Sequence, residues 1–179
     1  ETALGAGEED RVHQQIALDF RAAADAADMG NRSGYEAAID RLALTQKGAS
    51  ESRQANTRRI VQMALRLDSI MEDLMQFAGD SADPALGKLQ SSLESWATAA
   101  AEPVEAIPLI GNALSAVRAL EGHFAALEES EKALAIRLEA IAQLEYIDDA
   151  YESARRWKDV EDHAAAELAN AGKLDVRED

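Results

Sequence analysis

The amino-acid sequence predicts an all-α fold: an elongated antiparallel helical bundle of about five helices with coiled-coil-like seams, two of the helices long. Three observations lead there. First, Ile60, Met63, Leu67, Ile70, Leu74 and Phe77 recur in alternating steps of three and four. That 3.5-residue period is a helical seam, whereas a half-buried strand alternates every second residue. Second, Asn112 to Asn170 contains no proline and one glycine, Gly122. As one helix, this stretch of about 59 residues would reach roughly 90 Å. Third, hydrophobic residues make up 47% of the chain but aromatics only 4%. Alanine therefore carries much of the apolar content, and the expected core is thin and long.

Taken in order, residues 1–9 hold two glycines and three glutamates without periodicity and are expected to be a flexible lead. A first helix is expected from about Asp10 to Met29, with Val12, Ile16, Phe20, Ala23 and Ala27 on one face and Gly30 as its stop. Ser33-Gly34-Tyr35-Glu36 has the spacing of a capping box, which starts the second helix at Ser33. Ile39, Leu42 and Ala49 face inward along it. Gly48, Ser50 and Ser52 weaken it, but no proline stops it before the Ile60–Phe77 seam and Gly79. Extended backwards, the seam meets Asn56, Arg53 and Ala49; polar seam residues cost stability and set register. Val61, Ala64, Leu65, Met71 and Met75 widen the apolar face, which implies more than one neighbour for this helix.

Asp83-Pro84 supplies an N-cap and a proline at the first helical position. Leu86, Leu89, Leu93, Trp96 and Ala100 carry that helix to about Ala101. Pro103 and Pro108 are expected to exclude a regular helix between Glu102 and Gly111, leaving an apolar loop. Asn112 then caps the last helix, on which Leu120, Leu127, Leu134 and Ile141 fall seven residues apart, flanked by Phe124 and Leu138. That seam runs into Asp148. The apolar face resumes as Leu144, Ile147, Tyr151 and Ala154, then Trp157 or Val160. Such a phase shift predicts a bend or a change of partner near Gln143–Asp149. Asn170-Ala171-Gly172 ends the helix. Residues 10–172 read as a single helical-bundle domain and 173–179 as a charged tail.

The formal net charge of −16 argues against nucleic acid, because phosphate contacts need clustered Lys and Arg. It argues equally against docking on anionic lipid through a broad basic face. The absence of cysteine removes disulfides, thiol nucleophiles and Cys-based metal sites. No apolar run approaches the ~18–20 residues of a membrane-spanning helix, and both cytoplasmic and extracytoplasmic locations are compatible with the sequence. The start at Glu1 suggests a processed product or an excised fragment.

Chemistry finds little support. The three histidines, His13, His123 and His163, have no Glu three residues before them, as di-iron bundles require. There is no nucleophile elbow and no glycine-rich phosphate loop. Asp148-Asp149 and Glu128-Glu129 are adjacent and so do not face each other on a helix. No catalytic residue, metal site or cofactor is therefore expected, and the chain reads as a non-enzyme.

Two segments are partner-binding candidates. The proline segment offers Val104, Ile107, Leu109 and Ile110, which either close the bundle end or stand exposed for a contact. Tyr151, Arg155, Arg156 and Trp157 form the second, with the indole as an anchor among cations. Their spacing favours the blander arrangement, with Trp157 in the core and i,i+4 pairs Glu152–Arg156 and Arg155–Asp159. The expected function is protein interaction or scaffolding through long helical faces, with self-association. A sensory or small-ligand bundle of an extracytoplasmic receptor is the first alternative. A membrane-contacting protein using Pro103–Ile110 is the second.

Overall fold

The computed structural model describes residues 6–177, and every regular element among them is helical. The order is α1 (Ala6–Asp28), α2 (Arg32–Ala78), α3 (Pro84–Ala99), α4 (Pro103–Ala119), the short α5 (Glu121–Ala125) and α6 (Ser130–Ala171). The protein is an all-α helical bundle. Its contacts fall into two compact units. One takes the chain up to Ala55 together with the chain from Ser153 onward; the other is Asn56–Glu152. Both α2 and α6 contribute a part to each unit.

In the first unit, Ile16, Ala23, Ala38, Leu42, Ala49, Val160, Ala164 and Ala171 form a fully buried core. Direction follows from the cross-contacts. On α2 and α6, Tyr35 Oη donates to the Ala171 carbonyl at 2.8 Å, and Arg53 Nε donates to Glu161 Oε2 at 2.7 Å. Advancing on one while retreating on the other makes the pair antiparallel. His13 meets His163, and Arg156 meets Glu9, so α1 runs parallel to α6. Asp19, almost fully buried, accepts from Arg41 Nε at 2.7 Å. A buried carboxylate is tolerated only with such a partner. Beyond α6, Leu174 packs on this core and the Arg177 amide donates to the Ala27 carbonyl at 3.1 Å.

The second unit has the larger core. Ile60, Leu67, Ile70, Met71 and Leu74 of α2 pack with Leu86, Leu89 and Trp96 of α3, and with Ile110, Ala113 and Val117 of α4. Ala133, Ala140, Leu144, Ile147 and Tyr151 of α6 complete it. The Lys132 ammonium lies 5.4 Å from the centroid of the Phe77 ring, and Arg66 pairs with Glu139 at 3.0 Å, so α2 and α6 are antiparallel here too.

Several expectations hold to the residue. α2 is one helix through Gly48–Ser52. Asp83 accepts from the Ala85 amide at 2.8 Å with Pro84 at the first position. Gly30 and Gly79 end their helices with φ of 68° and 57°, a left-handed conformation that glycine adopts without a Cβ penalty.

Others need correction. Residues 6–9, placed in the flexible lead, are the first turn of α1, with Glu9 buried; residues 1–5 lie outside the described residues. The cap of α2 is Asn31, whose Oδ1 accepts from the Gly34 amide at 3.0 Å, because the helix begins at Arg32, two residues earlier than a Ser33 cap allows. Pro103 and Pro108 do not exclude a helix. Pro103 opens α4, where no intrahelical donor is needed, and Pro108 lies inside the helix, which continues through it with one bond forgone, to the Val104 carbonyl. Asn112 consequently lies inside α4 and caps nothing. The stretch from Asn112 to Asn170 is not one rod: α4 ends at Ala119, and the chain turns through α5 before α6 begins. Leu120 and Phe124 are fully buried at that turn.

The phase shift near Asp148 also disappears, while the change of partner expected near Gln143–Asp149 comes slightly later, where α6 passes from the second unit to the first after Glu152. The inward row of α6 is Ala133, Arg137, Ala140, Leu144, Ile147, Tyr151 and Ala154, in unbroken steps of four and three. Leu134 and Ile141 are only half-buried beside it, and Leu138 is exposed. Arg137 occupies the row because the last carbonyls of α4, of which Val117 takes only the Leu120 amide at 3.3 Å, have acceptor capacity to spare. Its Nε donates to the Val117 carbonyl at 2.9 Å and its Nη2 to the Arg118 carbonyl at 2.7 Å.

Candidate functional site

The most apolar concave surface among the described pockets lies within the second unit, between α2 and α3. It arises because α2 carries more apolar rows than its neighbours cover. Ile60, Leu67, Ile70 and Leu74 face the core. One row over, Val61 is 59% exposed and Leu65 70% exposed, and Met75 is also exposed. α3 supplies the opposite wall through Leu93, Trp96, Ala97 and Ala100. The small Ala97 and Ala100 keep that wall low, so the groove stays open. Its volume is about 680 Å³, within the range of about 300–1,000 Å³ that ligand sites occupy.

The wall is rigid where it matters. Trp96 Nε1 donates to Tyr151 Oη at 2.8 Å, and Tyr151 Oη donates to the Ala100 carbonyl at 2.7 Å. This chain ties the indole and the end of α3 to α6. Burial holds the Tyr151 hydroxyl above its ordinary pKa of 10.0, with the Trp96 hydrogen bond opposing the shift, so the group stays a donor. The polar lining comprises Thr57, Asp68 and Glu72. Neither carboxylate has an ion-pair partner among the described residues. No lysine or arginine lines the groove.

The residues expected to bind a partner are placed otherwise. Of the proline segment, Ile110 is fully buried, and Ile107 and Leu109 pack against the core of the second unit. Only Val104 projects, 74% exposed. Tyr151 is buried in the network just described. Arg156 Nε lies 3.4 Å from Glu9 Oε1, Lys158 pairs with Asp162, and Trp157 packs on the core of the first unit. Arg155 is exposed and engaged in a polar contact. The structure thus gathers neither set into an exposed patch. The groove residues were visible in the sequence as the surplus apolar positions Val61, Ala64, Leu65, Met71 and Met75. Of these, Met71 is core and Ala64 packs against it, while Val61, Leu65 and Met75 stay exposed.

A second feature lies in the first unit. His13 and His163 stack with ring centroids 5.0 Å apart and Nδ1 atoms 2.7 Å apart. One ring donates and the other accepts. Among the described residues, no group of three or more His, Cys, Asp or Glu is placed to hold a metal ion. No described helix is long and apolar enough to cross a membrane. Comparison with protein-family models, with curated proteins and with solved structures finds no match to this chain.

Proposed function

We propose that the protein is a non-enzymatic interaction module whose second unit docks an amphipathic helix of a partner protein in the α2–α3 groove. The observation that carries this reading is the row Val61, Leu65 and Met75, exposed on α2 beside the buried indole of Trp96. Isolated exposed leucines are ordinary on a protein surface, but Val61 and Leu65 on successive turns beside an aromatic wall, with Met75 further along the same row, have the form of a helix-in-groove site. Covering a side chain of this size is worth about 1.5–3 kcal/mol. Three such anchors contribute about 4.5–9 kcal/mol gross, of the same order as the about 4–15 kcal/mol lost in rotational and translational freedom, so further contacts by the occupant decide the affinity.

A labelled amphipathic helical peptide tests the reading by fluorescence anisotropy. Saturable binding to the full chain is expected, weakened at least about tenfold by Leu65→Asp, equivalent to about 1.4 kcal/mol. Because Leu65 is exposed, that substitution leaves the fold intact, which circular dichroism checks. Absence of binding, or binding indifferent to Leu65→Asp, contradicts the proposal.

A further inference from the structure

The groove's charge selects its occupant. Thr57, Val61, Leu65, Asp68, Glu72 and Met75 follow one another on α2 in steps of four, four, three, four and three, a single row along the groove. Asp68 and Glu72 are therefore i,i+4 neighbours with side chains about 5–6 Å apart at Cβ. Like charges at that spacing repel, and an i,i+4 cation usually relieves them. Here neither residue has an ion pair among the described residues, and the groove lining contains no basic side chain. The row thus presents an apolar half, an unneutralised acidic step, and then Met75. From Thr57 to Met75 it extends about 27 Å.

We infer that the occupant is a cationic amphipathic helix of a partner protein, carrying Leu-type anchors for one half of the groove and Lys or Arg on successive turns for Asp68 and Glu72. This rests on the docking reading above and names the partner's chemistry. A second copy of the chain fits poorly. It brings the same acidic row and a formal net charge of −16. Its densest basic cluster is already committed, with Arg156 on Glu9, Lys158 on Asp162 and Trp157 packed on a core. Complementary charge also raises the association rate and makes it sensitive to salt.

Three labelled helical peptides of about 18 residues, long enough to follow the groove at about 1.5 Å per residue, test the inference with the full chain. They share one apolar face and carry Lys/Arg, Gln or Glu beside it. The cationic peptide is expected to bind at least about tenfold more tightly than the acidic one, and to weaken as salt is raised. Asp68→Asn/Glu72→Gln, at two exposed positions, is expected to remove both the preference and the salt dependence while leaving apolar binding. Leu65→Asp is expected to remove binding of all three. Equal affinity for the three peptides, lost with Leu65→Asp, overturns the charge inference and leaves the docking reading standing. A preference that survives Asp68→Asn/Glu72→Gln also overturns it. Binding of none overturns both. Sedimentation showing a dimer that Leu65→Asp dissolves assigns the groove to a second copy and overturns the cationic partner.

Discussion

Tyr151 shows how one hydroxyl can organise a wall. It accepts from Trp96 and donates to the Ala100 carbonyl, so Tyr151→Phe leaves a buried donor and a carbonyl without partners. The expected loss is about 1–3 kcal/mol of unfolding free energy in urea titrations, well above the average net worth of one hydrogen bond. Asp148 carries the opposite lesson. Burial raises its carboxyl above the ordinary 3.8, and the nearby Glu152 and Asp149 carboxylates add to the shift. The folded chain therefore holds this proton more tightly than the unfolded chain. Its contribution to stability is fully present below 3.8 and is lost as pH rises through the raised folded value. Asp148→Asn is accordingly expected to stabilise the protein at neutral pH. That advantage should fade as pH falls toward 3.8, which thermal melts across pH 4–7 would resolve. Neither role was legible in the sequence: Tyr151 read as part of the apolar face and as a partner-binding candidate, with nothing to pair its hydroxyl with Trp96, and Asp148 as an interruption.

At the level of elements, legibility depended on side-chain size. The α2 seam was read correctly because its inward residues are large, from Ile60 to Phe77. On α6 the expected face Leu144, Ile147, Tyr151 and Ala154 is the buried one, but the first half of the seam differs, because Ala133 and Ala140 hold the inward row while the bulkier Leu134, Leu138 and Ile141 sit beside or outside it. Small inward residues let helices approach closely, and a size-weighted period then follows the wrong row. Ala140→Leu, which would look harmless on a helical wheel, is expected to overpack the second unit and destabilise it by about 1–3 kcal/mol in chemical denaturation. Arg137 escaped notice for a related reason. A cation in a seam looks like an error until the Val117 and Arg118 carbonyls at the end of α4 are known to lie opposite it. The proline segment misled in the other direction. Proline is tolerated in a helix's first turn, where α4 places Pro103, and Pro108 interrupts one bond without ending the helix.

On the scale of the whole molecule, two cores share no residue. Leu42 is fully buried in the first and Leu74 almost fully in the second. Each Leu→Ala substitution is expected to cost about 2–5 kcal/mol. With no core neighbour in common, the double variant is expected to lose the sum within about 0.5 kcal/mol, measured in urea. The helical class and most helix positions could be read from period and breakers alone. The partition into two cores could not, because it depends on which alanines and polar residues meet across long sequence separations. The groove follows from the same bookkeeping of faces: α2 has one apolar row more than its unit covers. The direct measurement is an amide-resolved NMR titration of the full chain with the cationic peptide. The account predicts shifts concentrated at Val61, Leu65, Asp68 and Glu72 and at the Trp96 indole. Shifts centred on Val104 or on Arg155–Trp157, or no shifts at saturating peptide, would contradict it.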